Sequence, residues 1–451
     1  MGDEPKKLNQ NGKKLLDIFT EPTPPQNIYS KLEQGSLQEI INQLIGSYFL
    51  VPQEYDERSL VQQRLARREE ELAQGKLINS LQLCISDACN IHCKYCFTDR
   101  ADEGSKRRLK LKGHKEKLMS LEMAIKGVDT FSRIARENGR KRFIVKFFGR
   151  EPLMNWKVIL PLMDHYGDGS SVGLRFRWDL TTNAMMVTDE IARELKRHDT
   201  LVFTSVDSIA EANDLTRVTS SGGKTFDQID RGIGYLRQHD VKTVFSAVIT
   251  STNFDYFDNR IIDYAVDYGV ETVIMLLAMQ NDFLACQRTH STEEISNKIA
   301  EIYFYAKEKG VSLRGYWHNP LRRLITMKSD EYLSEDPQKE DLASCTATGF
   351  QIAMEPSGDL FPCRAQSHHL GHIDDVYGML NSEAYRHQTM RTYLNVEACR
   401  GCNLEGLCQG VCLGHCEYAF DDIYQPDKRY CDIYRTITPK ILCHNGNIPE
   451  A

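Results

Sequence analysis

Fourteen cysteines stand in a chain of 451 residues, and their placement is uneven. Nine lie from Cys345 onwards, while the stretch from Phe97 to Ala285 has none. Cys89, Cys93 and Cys96 form a C-x3-C-x2-C run in DACNIHCKYCF, directly after the apolar stretch LQLCIS. Three thiolates on one loop can converge on an iron-sulfur cubane and leave its fourth iron free to bind a small molecule. The alternative is zinc, whose structural sites are closed by four protein ligands, or thiols with no ligand at all. The N-terminus MGDEPKKLNQNGKKLLDIF has no apolar core followed by a small-residue cleavage site, so secretion and a disulfide framework are not expected. Clustered thiols in a reducing, cytoplasmic setting point to metal.

The elements that must position these residues follow from periodicity. Candidate strands are LQLCIS, RFIVKFF, LRFRWDLT, TLVFTSV, VKTVFSAVI, VETVIML and VSLRGYW, rich in branched and aromatic residues. Amphipathic helices fall between them over 120–138, 188–198, 224–238 and 257–268, and Ser291 with Glu294 has capping-box spacing for a helix over 291–310. Strand and helix alternate about six times, which predicts an α/β fold: a parallel sheet with crossover helices, closed wholly or partly into a barrel. Chemistry is then expected at the C-terminal ends of the strands. Residues 1–27 read as a flexible tail, 28–78 as a small helical N-terminal module, 79–325 as the barrel, and 326–451 as a cysteine-rich extension. That extension has little apolar periodicity and needs metal to hold it together.

The first thiol run and its surroundings resemble the radical S-adenosylmethionine (SAM) enzymes. Tyr95 supplies the aromatic residue before the third cysteine, and Gly149, Arg150, Glu151 and Pro152 stand where the family carries GGEP after its second strand. The resemblance spans about 79–320 and implies a partial (β/α)6 barrel. It implies a 4Fe-4S cluster on Cys89, Cys93 and Cys96 that binds SAM, with Tyr95 and Gly149 also belonging to the cofactor site. Glu151 would orient the SAM amino group. Ser205 and Asp207, at the end of TLVFTSVDS, would contact the ribose, and Arg217 in DLTRVTSSGGKTFDQI would pair with the SAM carboxylate. Arg150 departs from the usual second glycine.

In the C-terminal region, Cys345, Cys363, Cys399, Cys402, Cys408, Cys412 and Cys431 occur in an order and spacing similar to the SPASM extension of such enzymes. That resemblance implies two auxiliary 4Fe-4S clusters, making three in all. Cys399, Cys402, Cys408 and Cys431 would hold one, and Cys345, Cys363 and Cys412 the other. Cys416 is the favoured fourth ligand of the second, with Cys443 as the alternative. Cys84 reads as a core thiol, Cys286 as a free or structural one, and His92 as packing or a donor beside the cluster. Trp178, Tyr316 and Trp317 read as barrel core.

SPASM relatives act on peptides and proteins, so the expected function is a radical SAM maturase of a ribosomally made precursor, ending in crosslinking or backbone excision. Oxidation of a sulfatase Cys or Ser is the second reading, and a zinc-stabilised binding protein the third. Expected partners are the precursor peptide, a reductant such as flavodoxin or ferredoxin, and a separate leader-binding protein if the N-terminal module lacks that role. The segment TDRADEGSKRRLKLKGHKEK is expected to be a solvated loop. A net charge of −7 argues against nucleic acid, and no segment reaches the roughly 20 apolar residues of a membrane helix.

Overall fold

A computed structural model describes residues 57–97, 118–279, 289–326 and 345–444. The tail, residues 28–56 of the N-terminal module, the charged segment at 98–117, Cys286 and the side chain of Cys443 lie outside what is described. The chain divides into a unit of 1–67 with 320–342 and a unit of 68–319 with 343–451. In the first, the described residues 57–67 belong to the helix Glu57–Ala73.

The second unit is built on a ten-stranded sheet. Its strands in chain order are β1 (Ser80–Ser86), β2 (Arg142–Gly149), β3 (Arg175–Thr182), β4 (Leu201–Ser205) and β5 (Thr243–Ile249). Then come β6 (Thr272–Leu277), β7 (Ser312–Arg314), β8 (Gln351–Met354), β9 (Asp359–Phe361) and β10 (Gly371–His372). The spatial order is β10-β9-β8-β1-β2-β3-β4-β5-β6-β7. Every neighbouring pair from β8 through β7 is parallel, and only β9 runs against the rest, antiparallel to both β8 and β10. All seven expected strands are present. β8 was not expected: it lies parallel against β1, with Ser80 opposite Gln351 and Leu83 opposite Met354.

Three crossover helices carry side-chain caps. Ser120 accepts from Met123 N at the head of Leu121–Glu137, and Thr188 accepts from Ile191 N before Asp189–Arg197. Ser291 and Glu294 close the full capping box of Thr292–Glu308.

Side-chain alternation divides the sheet into two faces. Phe143, Val145 and Phe147 of β2 are fully buried, as is Trp178 of β3. Phe147 stacks on Trp178 at 5.6 Å between ring centroids, and Phe176 meets Tyr166 of the helix Trp156–Tyr166 at 5.7 Å. This is the helix-covered face. On the opposite face the residues between them, Ile144, Lys146, Phe148 and Thr181, are only half-buried. The row continues as Phe203 and Ser205, Ser246 and Val248, and Ile274 and Leu276, linked strand to strand by register. A partial barrel thus keeps one face of its strands accessible from within.

Candidate active site

The thiol loop leaves β1 and crosses the C-terminal end of the sheet. His92–Cys93 pairs antiparallel with Arg217–Val218, and Lys94 N donates to Thr216 O at 2.9 Å. Cys89, Cys93 and Cys96 are each partly buried and lie within electrostatic reach of one another. Burial pushes the Cys89 thiol up to about 11 and the Cys93 thiol up to about 12. Arg217 opposes that rise, with Nη1 3.7 Å from Cys93 Sγ. Burial opposes deprotonation of these thiols, and a cationic cluster would supply the positive charge that draws the protons off three thiols brought together on one loop. The donor set therefore suits a cluster.

Gly149 explains why the strand ends come so close. It has φ of 142°, and a Cβ there would lie 2.3 Å from Ser86 O. Arg150 N then donates to the same Ser86 carbonyl at 2.9 Å, and Glu151 N to Ala88 O at 3.0 Å. The glycine requirement thus falls on position 149, and a side chain is accommodated at Arg150.

Glu151 is fully buried. Its Oε1 accepts from Leu153 N at 3.0 Å and Thr182 Oγ1 at 2.8 Å, and its Oε2 accepts from Asn183 N at 2.8 Å. All three donors are neutral. Burial outweighs them and pushes the carboxyl up to about 6. A buried carboxylate bonded only by neutral groups is suited to a cationic ligand. Asn183 reaches across to the thiol loop, donating through Nδ2 to Asn90 Oδ1 at 2.7 Å. Sequence reasoning missed Thr182 and Asn183, although two hydroxyls and an amide at a strand's C-terminal end were a usable signal.

Asp207, fully buried just after β4, is the centre of a second network. It accepts from Tyr95 Oη at 2.6 Å, Thr216 Oγ1 at 2.9 Å and Val248 N at 2.9 Å, and it pairs with Arg217 Nε at 3.1 Å. The Arg217 guanidinium also lies 5.4 Å from the centre of the Tyr95 ring. Next in the chain, Ser208 has φ of 70° and a buried hydroxyl without a partner. Strain of this kind gathers where a site over-determines the backbone. Ser205 sits half-buried on the accessible inner face.

The C-terminal thiols fall into two neighbourhoods. Cys399, Cys402, Cys408 and Cys431 line one small pocket together with Tyr434 and Arg435. Arg435 Nη1 lies 3.6 Å from Cys402 Sγ, and burial pushes Cys408 up to about 12. Cys345, Cys363 and Cys412 interact electrostatically with each other, and burial pushes Cys345 and Cys412 up to about 12. Cys416 is fully buried, one helical turn beyond Cys412, and interacts with Cys412, Cys431 and Cys345. Among the described residues no group of His, Cys, Asp and Glu is drawn tightly enough to hold a single metal ion.

Of the remaining expectations, Cys84 is fully buried among Ala353 and Phe361 as a core thiol, and His92 is exposed. Trp178 and Trp317 are core residues at 2% and 1% exposure. Tyr316 is not: at 46% exposure it leaves the core, because the turn after β7 carries it towards Cys412 while Trp317 turns inward and donates to Met275 O.

The sequence pattern of the Radical SAM superfamily matches residues 83–261, which run from β1 through the thiol loop, Glu151, Asp207 and Arg217. Residues 83–261 form a Radical SAM domain. Its similarity to the radical SAM cyclopropyl synthase TigE of Paramaledivibacter caminithermalis is 29% identity over 435 residues, 96% of this chain and 87% of that protein. A cysteine-type anaerobic sulfatase-maturating enzyme of Clostridium perfringens is 23% identical over 78% of this chain and 92% of its own length. Among solved structures, native anSMEcpe with bound AdoMet and Cp18Cys peptide superposes with a TM-score of 0.63 at 19% identity, covering 80% of this chain and 97% of that one. Streptococcus suis SuiB bound to the precursor peptide SuiA gives 0.53 at 14% identity, covering 84% of each chain. These likenesses agree with the fold described above: a radical SAM barrel followed by a cysteine-rich C-terminal region. The chain is a radical SAM enzyme, and a zinc-stabilised scaffold is set aside. Among the described residues no helix is long and apolar enough to cross a membrane.

Proposed function

We propose that this enzyme modifies a ribosomally made precursor peptide, joining two carbon atoms of the peptide or excising part of its backbone. One observation carries the reading. The half-buried inner face of the strands runs from the SAM-type site at their C-terminal ends to Lys146, which is within electrostatic reach of Cys345 and Cys363. A substrate segment lying along that face would meet both thiol regions.

In this reading Cys89, Cys93 and Cys96 hold the SAM-binding cluster, and the other two thiol sets hold auxiliary clusters, with Cys416 closing the inner one. When bound, SAM and its cluster supply a 5'-deoxyadenosyl radical that takes hydrogen from the substrate. The chain's own residues do the positioning. Glu151 receives the SAM ammonium, because its present donors are neutral and its carboxyl is buried. Asp207 fixes Tyr95 and Arg217 behind the thiol loop, which leaves Arg217 oriented at Cys93 and the carboxylate of SAM. Ser205 faces the inner side and is free to meet the ribose.

The relatives named as a cyclopropyl synthase and as bound to a precursor peptide support ring or crosslink formation over the sulfatase reading. Bond formation of that kind removes two hydrogen atoms from the peptide. The test is anaerobic co-expression with candidate precursor peptides sought among the short reading frames near the gene, followed by mass spectrometry. Loss of two hydrogens per event supports crosslinking or ring closure, and a larger loss supports excision. An unchanged precursor mass overturns the reading, and conversion of a sulfatase Cys or Ser to an aldehyde in its place supports the second one.

A further inference from the structure

Lys146 is the one basic residue of β2 that lies inside the strand, away from its ends, and on the accessible inner face. Its register partners are Gln82 on β1 and Asp179 on β3. Nζ donates to Gln351 Oε1 at 2.7 Å, the single acceptor it meets among the described residues. An ammonium has three donors, and no described protein acceptor takes the other two. Asp179 does not fill them. Its two oxygens accept Arg177 Nε and Nη2, each at 2.8 Å, in a bidentate pair. Lys146, Arg177 and Asp179 together carry one net positive charge in a partly desolvated place, and the direct hydrogen bonds of Asp179 are taken by Arg177. Burying such a net charge is costly, and an anion arriving there recovers the cost. Lys146 also lies within electrostatic reach of Cys363 and Cys345, two members of the inner C-terminal thiol set.

We propose that Lys146 anchors a carboxylate of the peptide substrate within the barrel, next to the inner C-terminal thiol set. The proposal rests on the peptide-maturase reading and sharpens it. The segment brought to the reaction carries an acidic group, and its position along the strand face is set by the distance from Lys146 to the SAM site. Lys146 is thus a positioning residue and takes no part in bond making.

The test is a footprint on the reconstituted holoenzyme, independent of turnover. Lysines are acetylated with an N-hydroxysuccinimide ester under anaerobic conditions, and the rate at Lys146 is followed by peptide mapping. The probe is a blocked tripeptide with a central glutamate, compared with its central-glutamine analogue. The expected result is that Lys146 is acetylated, and that the glutamate probe at about ten times its dissociation constant slows the reaction about tenfold while the glutamine analogue does not. Equal protection by both, or by neither, overturns the proposal. So does a Lys146 that never reacts in the holoenzyme but whose K146M variant shifts the electron paramagnetic resonance of an auxiliary cluster, since the ammonium then serves the cluster. A modified precursor without the footprint removes only the role of Lys146. A footprint with an unmodified precursor removes the maturase reading and leaves the anion site.

Discussion

Tyr95 on the thiol loop donates its phenolic proton to Asp207 at the end of β4 across 2.6 Å, joining residues 112 positions apart. Asp207 in turn pairs with Arg217, which is 6% exposed and stands over the Tyr95 ring. The loop that carries the thiols is therefore held to the strand ends by a buried charge and its partners, in addition to one short backbone ladder.

Removing that charge should be costly. Asp207→Asn leaves the Arg217 guanidinium buried without its counter-ion and should destabilise the fold by about 3–5 kcal/mol. Tyr95→Phe removes one hydrogen bond to a charged group, about 1.5–3 kcal/mol. Chemical denaturation of both variants under anaerobic conditions checks the order, and an Asp207→Asn protein as stable as the parent would contradict the network.

Gly149 and Arg150 make opposite predictions despite being neighbours. Gly149→Ala places a Cβ against Ser86 O in a backbone region that only glycine adopts readily, and should cost about 2–3 kcal/mol or more. Arg150→Gly restores the glycine usual in relatives of the GGEP type, but φ imposes no need for it. Its iron content and SAM affinity should be close to those of the parent, as read by iron assay and equilibrium binding.

Glu151 predicts a pH dependence. Its folded pKa of about 6 is raised above the ordinary carboxyl value of about 4.3. Its contribution to stability is therefore favourable below about pH 4 and is lost as pH rises through about 6. Binding the SAM ammonium favours the ionised form, so SAM affinity should fall about tenfold per pH unit below about pH 6. Glu151→Gln should bind SAM weakly at every pH and flatten the profile, as measured by calorimetry on the oxidised, reconstituted protein.

The thiol sets should lose metal separately. Cys93→Ala should abolish SAM cleavage and remove roughly one cluster's worth of iron, about four per chain, leaving the iron of the C-terminal sets largely bound. Cys408→Ala should lower iron by a similar amount and leave the SAM-binding cluster's spectrum in place. Loss of all iron from either variant would mean that the sets depend on each other for folding.

Strand identity was legible because each strand of the barrel is a run of branched and aromatic residues between turn signals. The thiol loop, Glu151 and Arg217 were legible because their spacing is local. β8 was not, since QIAM is too short to show a period, and its place beside β1 is decided by residues about 270 positions upstream. Tyr316 and Trp317 illustrate a second limit. Adjacent aromatics in one turn look alike in sequence, and only the hydrogen bond of Trp317 to Met275 O decides which of them enters the core. The neutral donors around Glu151, and the placing of Lys146 opposite Gln82 and Asp179, arise from tertiary contacts and cross-strand register, which composition does not carry.

The pairing of β8 with β1 also fixes an order of events during synthesis. β1 emerges from the ribosome early, yet its second neighbour is not translated until Gln351. For most of translation one edge of the nascent sheet is unpaired and able to recruit other chains. On the proposed reading, cluster insertion into the C-terminal thiols must also wait for the residues from Cys345 onwards, so the final seam of the sheet and the loading of metal would belong to the same late stage. A cell that starves the chain of iron would be expected to accumulate it with that edge open, as aggregate, and a fragment ending before Cys345 should behave the same way however much iron is supplied.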